Sequence, residues 1–148
     1  QRQMCIREAI AQKTNNTLEF IQQRDIRVYA DRIQLKRVIK NLIQNAISYG
    51  EPNFPIEVSI GEIPQYIVIK VKDYGAGISK TDIDKIFNKY YSAAKKFRKI
   101  GTGLGLYLAL QIIKSHNGEL SVESEEGNFT EFTIKLPAVM NINLHYGE

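Results

Sequence analysis

Three observations predict a two-layer α/β (α+β) sandwich, with one mixed, mainly antiparallel sheet and helices on one face. Alternating apolar and polar stretches come in pairs separated by short turn-forming segments, as hairpins do; two longer stretches carry helical periodicity; and the two kinds interleave along a single chain. At 148 residues the chain suffices for one domain with a sizeable core, and 43% hydrophobic with 24% charged residues is the usage of an ordinary globular protein.

In chain order, residues 3–12 (QMCIREAIAQ) place Met4, Ile6, Ala9 and Ile10 near helical spacing, which predicts a short amphipathic helix. Residues 17–22 (TLEFIQ) and 26–30 (IRVYA) alternate like half-buried strands. The central helix follows. Asp31 is a good N-cap, and Leu35, Val38, Ile39, Leu42, Ile43 and Ala46 recur at spacings of three and four through Tyr49. Gly50 is the expected C′ residue, and Pro52 and Pro55 forbid continuation. Residues 56–60 (IEVSI) and 66–72 (YIVIKVK), with GEIPQ between them, predict an antiparallel hairpin. A brief helical turn is expected over 82–87 and a long mobile loop over 88–102, where no apolar period exists. Residues 104–116 are apolar nearly all round, which predicts a mostly buried helix stopped by Asn117-Gly118. Strands at 119–124 and 129–136 close the fold, and the tail from Ala138 is expected to fray.

Composition bounds function loosely. A net charge of +4 suits a small polyanionic ligand as well as nucleic acid. The single Cys5 excludes an internal disulfide, and the absence of a Cys/His cluster excludes a zinc site, as suits a reducing compartment. The longest nearly apolar run, Leu104 to Ile113, is too short to span a bilayer, and no signal-peptide pattern precedes the first helix. A chain that opens on Gln is expected to be a piece of a longer one.

Three strings carry chemistry. Asn41 and Asn45 are four residues apart on the central helix, so they stack beside the apolar stripe, with Tyr49 along the same border. Carboxamides at the rim of a core either bond neighbouring loops or look into a polar pocket. Asp73-Tyr74-Gly75-Ala76-Gly77 begins where a strand ends: its carboxylate can accept from an amine, and its glycines let the backbone approach a flat ring. An Asx turn explains the same string equally well. Gly101-Thr102-Gly103-Leu104-Gly105 leads into a helix N-terminus, where freed N–H groups and the helix dipole favour an anion. It fits neither the dinucleotide nor the P-loop pattern. A hinge that merely permits close packing is the blander reading. Between the last two strings lies a basic, acid-free segment, Asn88 to Ile100, with Lys89, Tyr90, Tyr91, Lys95, Lys96, Arg98 and Lys99.

Together these strings resemble, over about residues 3 to 137, the ATP-binding domain of sensor histidine kinases, the Bergerat-type (GHKL) fold. The resemblance implies ATP and Mg²⁺ as cofactors. It implies that Asp73 accepts from the adenine amine with Gly75, Gly77, Ile78 and Thr130 around it, and that Tyr49 packs near the base. It further implies that Asn45 holds the metal and that Asn41 assists the metal or phosphate arrangement. Lys89 and Tyr90 open a phenylalanine-box and lid segment, and Gly101, Thr102, Gly103, Leu104, Gly105 and Leu106 form the second glycine box. Hydrolysing ATPases of the gyrase, mismatch-repair and Hsp90 kinds resemble this helix except that a Glu general base stands where Asn41 is. A carboxamide cannot take that proton, so the implied reaction is phosphoryl transfer to a histidine elsewhere. His116, within His116-Asn117-Gly118, matches a structural His-Gly-Gly, and His145 lacks an adjacent acid.

The implied organisation is a catalytic domain over residues 1–137 and a tail over 138–148. A histidine-bearing dimerisation domain would lie N-terminal to residue 1, and a response regulator receiver domain would be the further partner. Nucleic acid is not an expected partner. The parent would be dimeric, and either cytoplasmic or a membrane-anchored sensor with this portion in the cytoplasm. Two departures remove positive charge near the phosphates: Ser48 stands where the family often has Lys or His, and Ser92 where it often has Arg. They keep open a degenerate nucleotide-sensing module without kinase activity. A protein-serine kinase of the anti-sigma-factor type shares the same strings.

Overall fold

The computed structural model describes residues 2–5, 18–22, 26–89, 91 and 104–138. Its strands are β1 (Arg2–Cys5), β2 (Leu18–Gln22), β3 (Arg27–Ala30), β4 (Ile56–Ile63), β5 (Tyr66–Asp73), β6 (Glu119–Glu125) and β7 (Phe129–Pro137). Its helices are α1 (Arg32–Tyr49) and α2 (Gly105–Ser115). Five strands form one sheet in the order β2-β4-β5-β7-β6, parallel between β2 and β4 and antiparallel elsewhere. The mixed sheet expected from the hairpins is therefore present.

The sheet is two-faced because its strands alternate. Ile56, Val58 and Ile60 of β4, Ile67, Ile69 and Val71 of β5, and Phe132, Ile134 and Leu136 of β7 are buried with the apolar stripe of α1 and with Ala109, Ile112 and Ile113 of α2. The opposite face carries Glu57, Ser59 and Gly61 of β4, Lys70 and Lys72 of β5, and Glu131, Thr133 and Lys135 of β7. Lys70 lies 3.6 Å from Glu131 there. Among the described residues, a Cβ added to Gly61 would meet nothing within 4 Å, so there is room for a side chain at that point of the face.

Several local expectations are corrected. Residues 3–5 of the expected first helix lie in β1, which pairs antiparallel with β3 as a separate two-stranded sheet, Met4 opposite Val28. A free strand edge at β3 offers a backbone ladder that outweighs a weak helical period. Residues 6–12 fall outside the described residues. The β4–β5 hairpin has no five-residue connection: Ile63 pairs with Tyr66, and the turn is Pro64-Gln65 with Gln65 at φ +72°. Gly50 is not in the left-handed region but at φ −76°. Finally, α2 is buried on one side only, with Leu108 41% exposed and Leu106 and Leu110 half-buried. The expected turn over 82–87 is present, held by Ile83 and Asp82 N–H donating to Ser79 O and by Lys85 N–H donating to Asp82 O.

Candidate functional site

α1 forms one wall because its ends are well fixed. The Asp31 side chain accepts from Gln34 N–H at 2.9 Å, and six apolar residues seat the helix on the sheet. Asn41 and Asn45 are half-buried along its border, as the spacing implied. The Asn41 Nδ2 amide donates to Gly105 O at 3.2 Å, joining two strings 64 residues apart in sequence. With that amide committed, the carboxamide oxygen of Asn41 remains as its acceptor or ligand atom. Leu104, at the N-cap of α2, supplies no side-chain cap, and its carbonyl accepts from Leu108 N–H at 2.8 Å. The N-terminus of α2 carries no side-chain cap from its own N-cap residue, and a helix N-terminus of this kind favours an anion. A cleft of about 500 Å³ lies against this junction, lined by Arg37, Lys40, Asn41, Gln44, Leu104 and Gly105 among others. Asp73, Asn45 and Tyr49 do not line it.

The second cluster lies at the far end of α1. Gly50 N–H donates to Ala46 O at 2.7 Å, then Gly50 bridges Gly75. Ala76 N–H donates to Tyr49 O and Glu51 N–H to Tyr74 O, each at 3.2 Å. A side chain on Gly75 would overlap the Tyr49 carbonyl, so this crossing of helix end and loop demands glycine. Gly77 sits at φ +67° with its missing Cβ aimed at the Glu125 carbonyl. Both glycines thus make room for protein backbone, a role their spacing alone did not separate from approach to a ligand ring.

Asp73, the last residue of β5, is 2% exposed, pairs with Thr130 across the sheet and has its Cβ 3.2 Å from where a Cβ on Gly50 would lie. Burial pushes its carboxyl up to about 7, against a backbone hydrogen bond from Gly75 that lowers it. Its Oδ1 has no hydrogen-bond partner. A buried acceptor left open costs about 1–3 kcal/mol, so it asks for a donor.

One hub residue was missed in the sequence. Ser124 Oγ donates to Phe129 O at 2.7 Å, accepts from Ile78 N–H at 2.8 Å and lies 3.0 Å from Thr130 Oγ1. Since the serine proton is spent on Phe129, Thr130 donates to it, and the Thr130 oxygen keeps its lone pairs. A lone serine in an alternating strand gives no sequence signal, although its register opposite Thr130 does once the hairpin is known. Gly127 N–H donates to Ala76 O at 2.7 Å and ties the same hairpin turn to the Asp73 loop.

Of the remaining candidates, Lys89 is exposed with its ammonium 5.9 Å from the Tyr107 ring centroid, and Leu106 is half-buried. Tyr90, Gly101, Thr102 and Gly103, Ser92 and the basic stretch through Ile100 lie outside the described residues, as does the tail beyond Ala138. No group of three or more His, Cys, Asp or Glu able to hold a metal exists among the described residues. A metal here would therefore draw ligands from carboxamide oxygen, water and a bound phosphate, a set that fits Mg²⁺. No helix among the described residues is long and apolar enough to cross a membrane.

Residues 30–140 match the family model described as the histidine kinase-, DNA gyrase B-, and HSP90-like ATPase. Sensor histidine kinase WalK of Bacillus subtilis (strain 168) is 38% identical over 129 residues, covering 81% of this chain and 21% of its own length. Sensor protein SrrB of Staphylococcus aureus (strain NCTC 8325 / PS 47) is 38% identical over 109 residues, 72% of this chain and 19% of its own. The chain thus spans about a fifth of the length of these curated relatives. Among solved structures, the catalytic domain of histidine kinase ThkA is 30% identical with a TM-score of 0.72, covering 90% of this chain and 84% of that one. The mycobacterial sensor histidine kinase MprB, 22% identical, shares the fold with a TM-score of 0.79 over 92% of this chain and 96% of that one. With its fold, its paired carboxamides and its buried carboxylate all in place, the chain belongs to the histidine kinase-, DNA gyrase B- and HSP90-like ATPase family.

Proposed function

We propose that this chain is the ATP-binding catalytic domain of a two-component sensor histidine kinase. It binds ATP along α1 and passes the γ-phosphoryl group to a histidine on a separate dimerisation domain, for relay to a response regulator. The observation that carries the reading is the buried, unpartnered Oδ1 of Asp73, an acceptor awaiting the exocyclic amine of adenine. Thr130 and the Tyr49 end of α1 flank the base, and Gly75, Gly77 and Ile78 fix the loop that holds Asp73 in place. Asn41 and Tyr49 are eight residues apart, about 12 Å along a helix, which sets the phosphates beside Asn41, Asn45 and the start of α2.

There Asn41 and Asn45 present carboxamide oxygens, and the N-terminus of α2, with its helix dipole, faces the phosphate charge. Mg²⁺, when bound, supplies charge neutralisation between the phosphates. Asn41 cannot serve as a base for water, so the domain positions and stabilises charge instead of activating a hydrolytic nucleophile. Lys89, Tyr90 and the basic residues after them would supply positive charge to the triphosphate, and Gly101, Thr102 and Gly103 belong to the glycine string assigned to the phosphates. Residues 1–137 make up this unit and 138–148 a tail. The rest of the parent protein supplies the dimerisation domain, and this part works on the cytoplasmic side.

The test mixes this domain with the histidine-bearing domain of its parent and γ-labelled ATP. Acid-labile phosphohistidine is the expected product. None formed, with ATP binding intact by calorimetry, favours the second reading, nucleotide sensing without transfer, which Ser48 and Ser92 motivate. Acid-stable phosphoserine would point to the serine-kinase type.

A further inference from the structure

We propose that His116 is a positioning residue that sets the register of α1 against α2 and thereby places Asn41 at the phosphate end of the site. The inference rests on the reading of Asn41 and the start of α2 as that end. The Asp31 N–H donates to His116 Nε2 at 3.0 Å, so this nitrogen carries no proton. The neutral ring's proton is on Nδ1, which donates to Ile112 O at 2.8 Å. His116 is 7% exposed, so both ring nitrogens are spent inside the protein on a single tautomer.

His116 sits at the C-cap of α2 and Asp31 at the N-cap of α1. At the opposite end of the pair, Asn41 of α1 meets Gly105, the first residue of α2. The helices therefore run antiparallel, with these two hydrogen bonds joining their ends. Ten residues separate these points on α1 and eleven on α2, rises of about 15 and 16.5 Å. The buried side chains between them are apolar, Leu35, Val38 and Ile39 on one helix and Ala109, Ile112 and Ile113 on the other. Apolar burial is non-directional and tolerates small slides and rotations. Directional hydrogen bonds do not. One of the two polar contacts belongs to the site itself, and the His116 bond is the distant one that fixes how the first falls.

The test compares wild type with His116→Phe, which fills the space without an acceptor, and His116→Gln, whose side-chain oxygen can replace Nε2. It adds Asp31→Pro, which removes the donor at a φ of −70° that proline accepts, and Asp31→Ala, which loses only the side-chain cap. Two readouts are taken: the NMR signal of the Asn41 carboxamide, assigned by its loss in Asn41→Ala, and the affinities for Mg·ATP and for adenosine. His116→Phe and Asp31→Pro are expected to move the Asn41 signal and weaken Mg·ATP roughly three- to tenfold, with adenosine unchanged. His116→Gln and Asp31→Ala should stay close to wild type in both.

A lowered melting temperature with an unmoved Asn41 signal and an unchanged ATP-to-adenosine ratio would overturn the proposal, as would equal losses for both ligands. If His116→Phe does not fold, the Asp31→Pro and Asp31→Ala pair decides. Wild type that binds neither ligand would refute the ATP reading instead, and the Asn41 signal would still decide the clamp.

Discussion

Asp73 combines two demands that usually conflict. Its carboxyl is held near 7 by burial, yet the same burial makes it a strong acceptor once a donor arrives. The folded protein keeps the proton up to about pH 7, whereas the unfolded chain releases it near the ordinary 3.8. Between those values the native state binds more protons, so stability falls as pH rises through the window and levels off above it. The shift sets an upper bound of about 4 kcal/mol. Asp73→Asn should abolish this fall, seen as urea-unfolding free energies that converge between pH 4.5 and 8 once other groups are matched. The same variant should bind adenosine roughly 10- to 100-fold more weakly, since a hydrogen bond to a charged group is worth about 1.5–3 kcal/mol. Unchanged affinity by calorimetry would take Asp73 out of the site.

The elements differ in how legible they were. α1 was read from the Asp31 cap through all six buried positions, though not in the conformation of Gly50 at its end, because an N-cap and a 3.6 period are both local signals. α2 was over-read: Leu106, Leu108 and Leu110 announce burial, yet among the described residues Leu108 is exposed and Leu106 and Leu110 are only half-buried, and composition cannot report what lies opposite. β1 was missed because pairing with β3 is a non-local fact. The same divide runs through the site. The DYGAG and carboxamide strings were visible, while the Asn41–Gly105 contact and the Ser124 hub depend on residues brought together from afar. The junction of α1 with the loop after β5 also yields a prediction. Gly75→Ala drives a methyl into the Tyr49 carbonyl and should cost about 1–3 kcal/mol, measured by chemical denaturation. A neutral result would mean the crossing has slack.

At the level of the whole molecule, the two described helices cover one face of the sheet, and the buried core concentrates in the seam between them and it. Ile69 is fully buried at mid-sheet, between Ile60 of β4 and Ile134 of β7. Ile69→Ala should cost about 2–5 kcal/mol and lower the midpoint of urea unfolding with little change in its slope. A smaller loss would mean that the seam closes around the gap.

The uncovered side has a practical use. Among the described residues nothing fills the place where a side chain on Gly61 would project, within β4 and on the far side of the sheet from both described helices. Once the native thiol of Cys5 is replaced by serine, a cysteine at that spot could carry a fluorophore. Such a dye could follow tumbling or encounters with other proteins in solution while leaving the nucleotide's seat undisturbed.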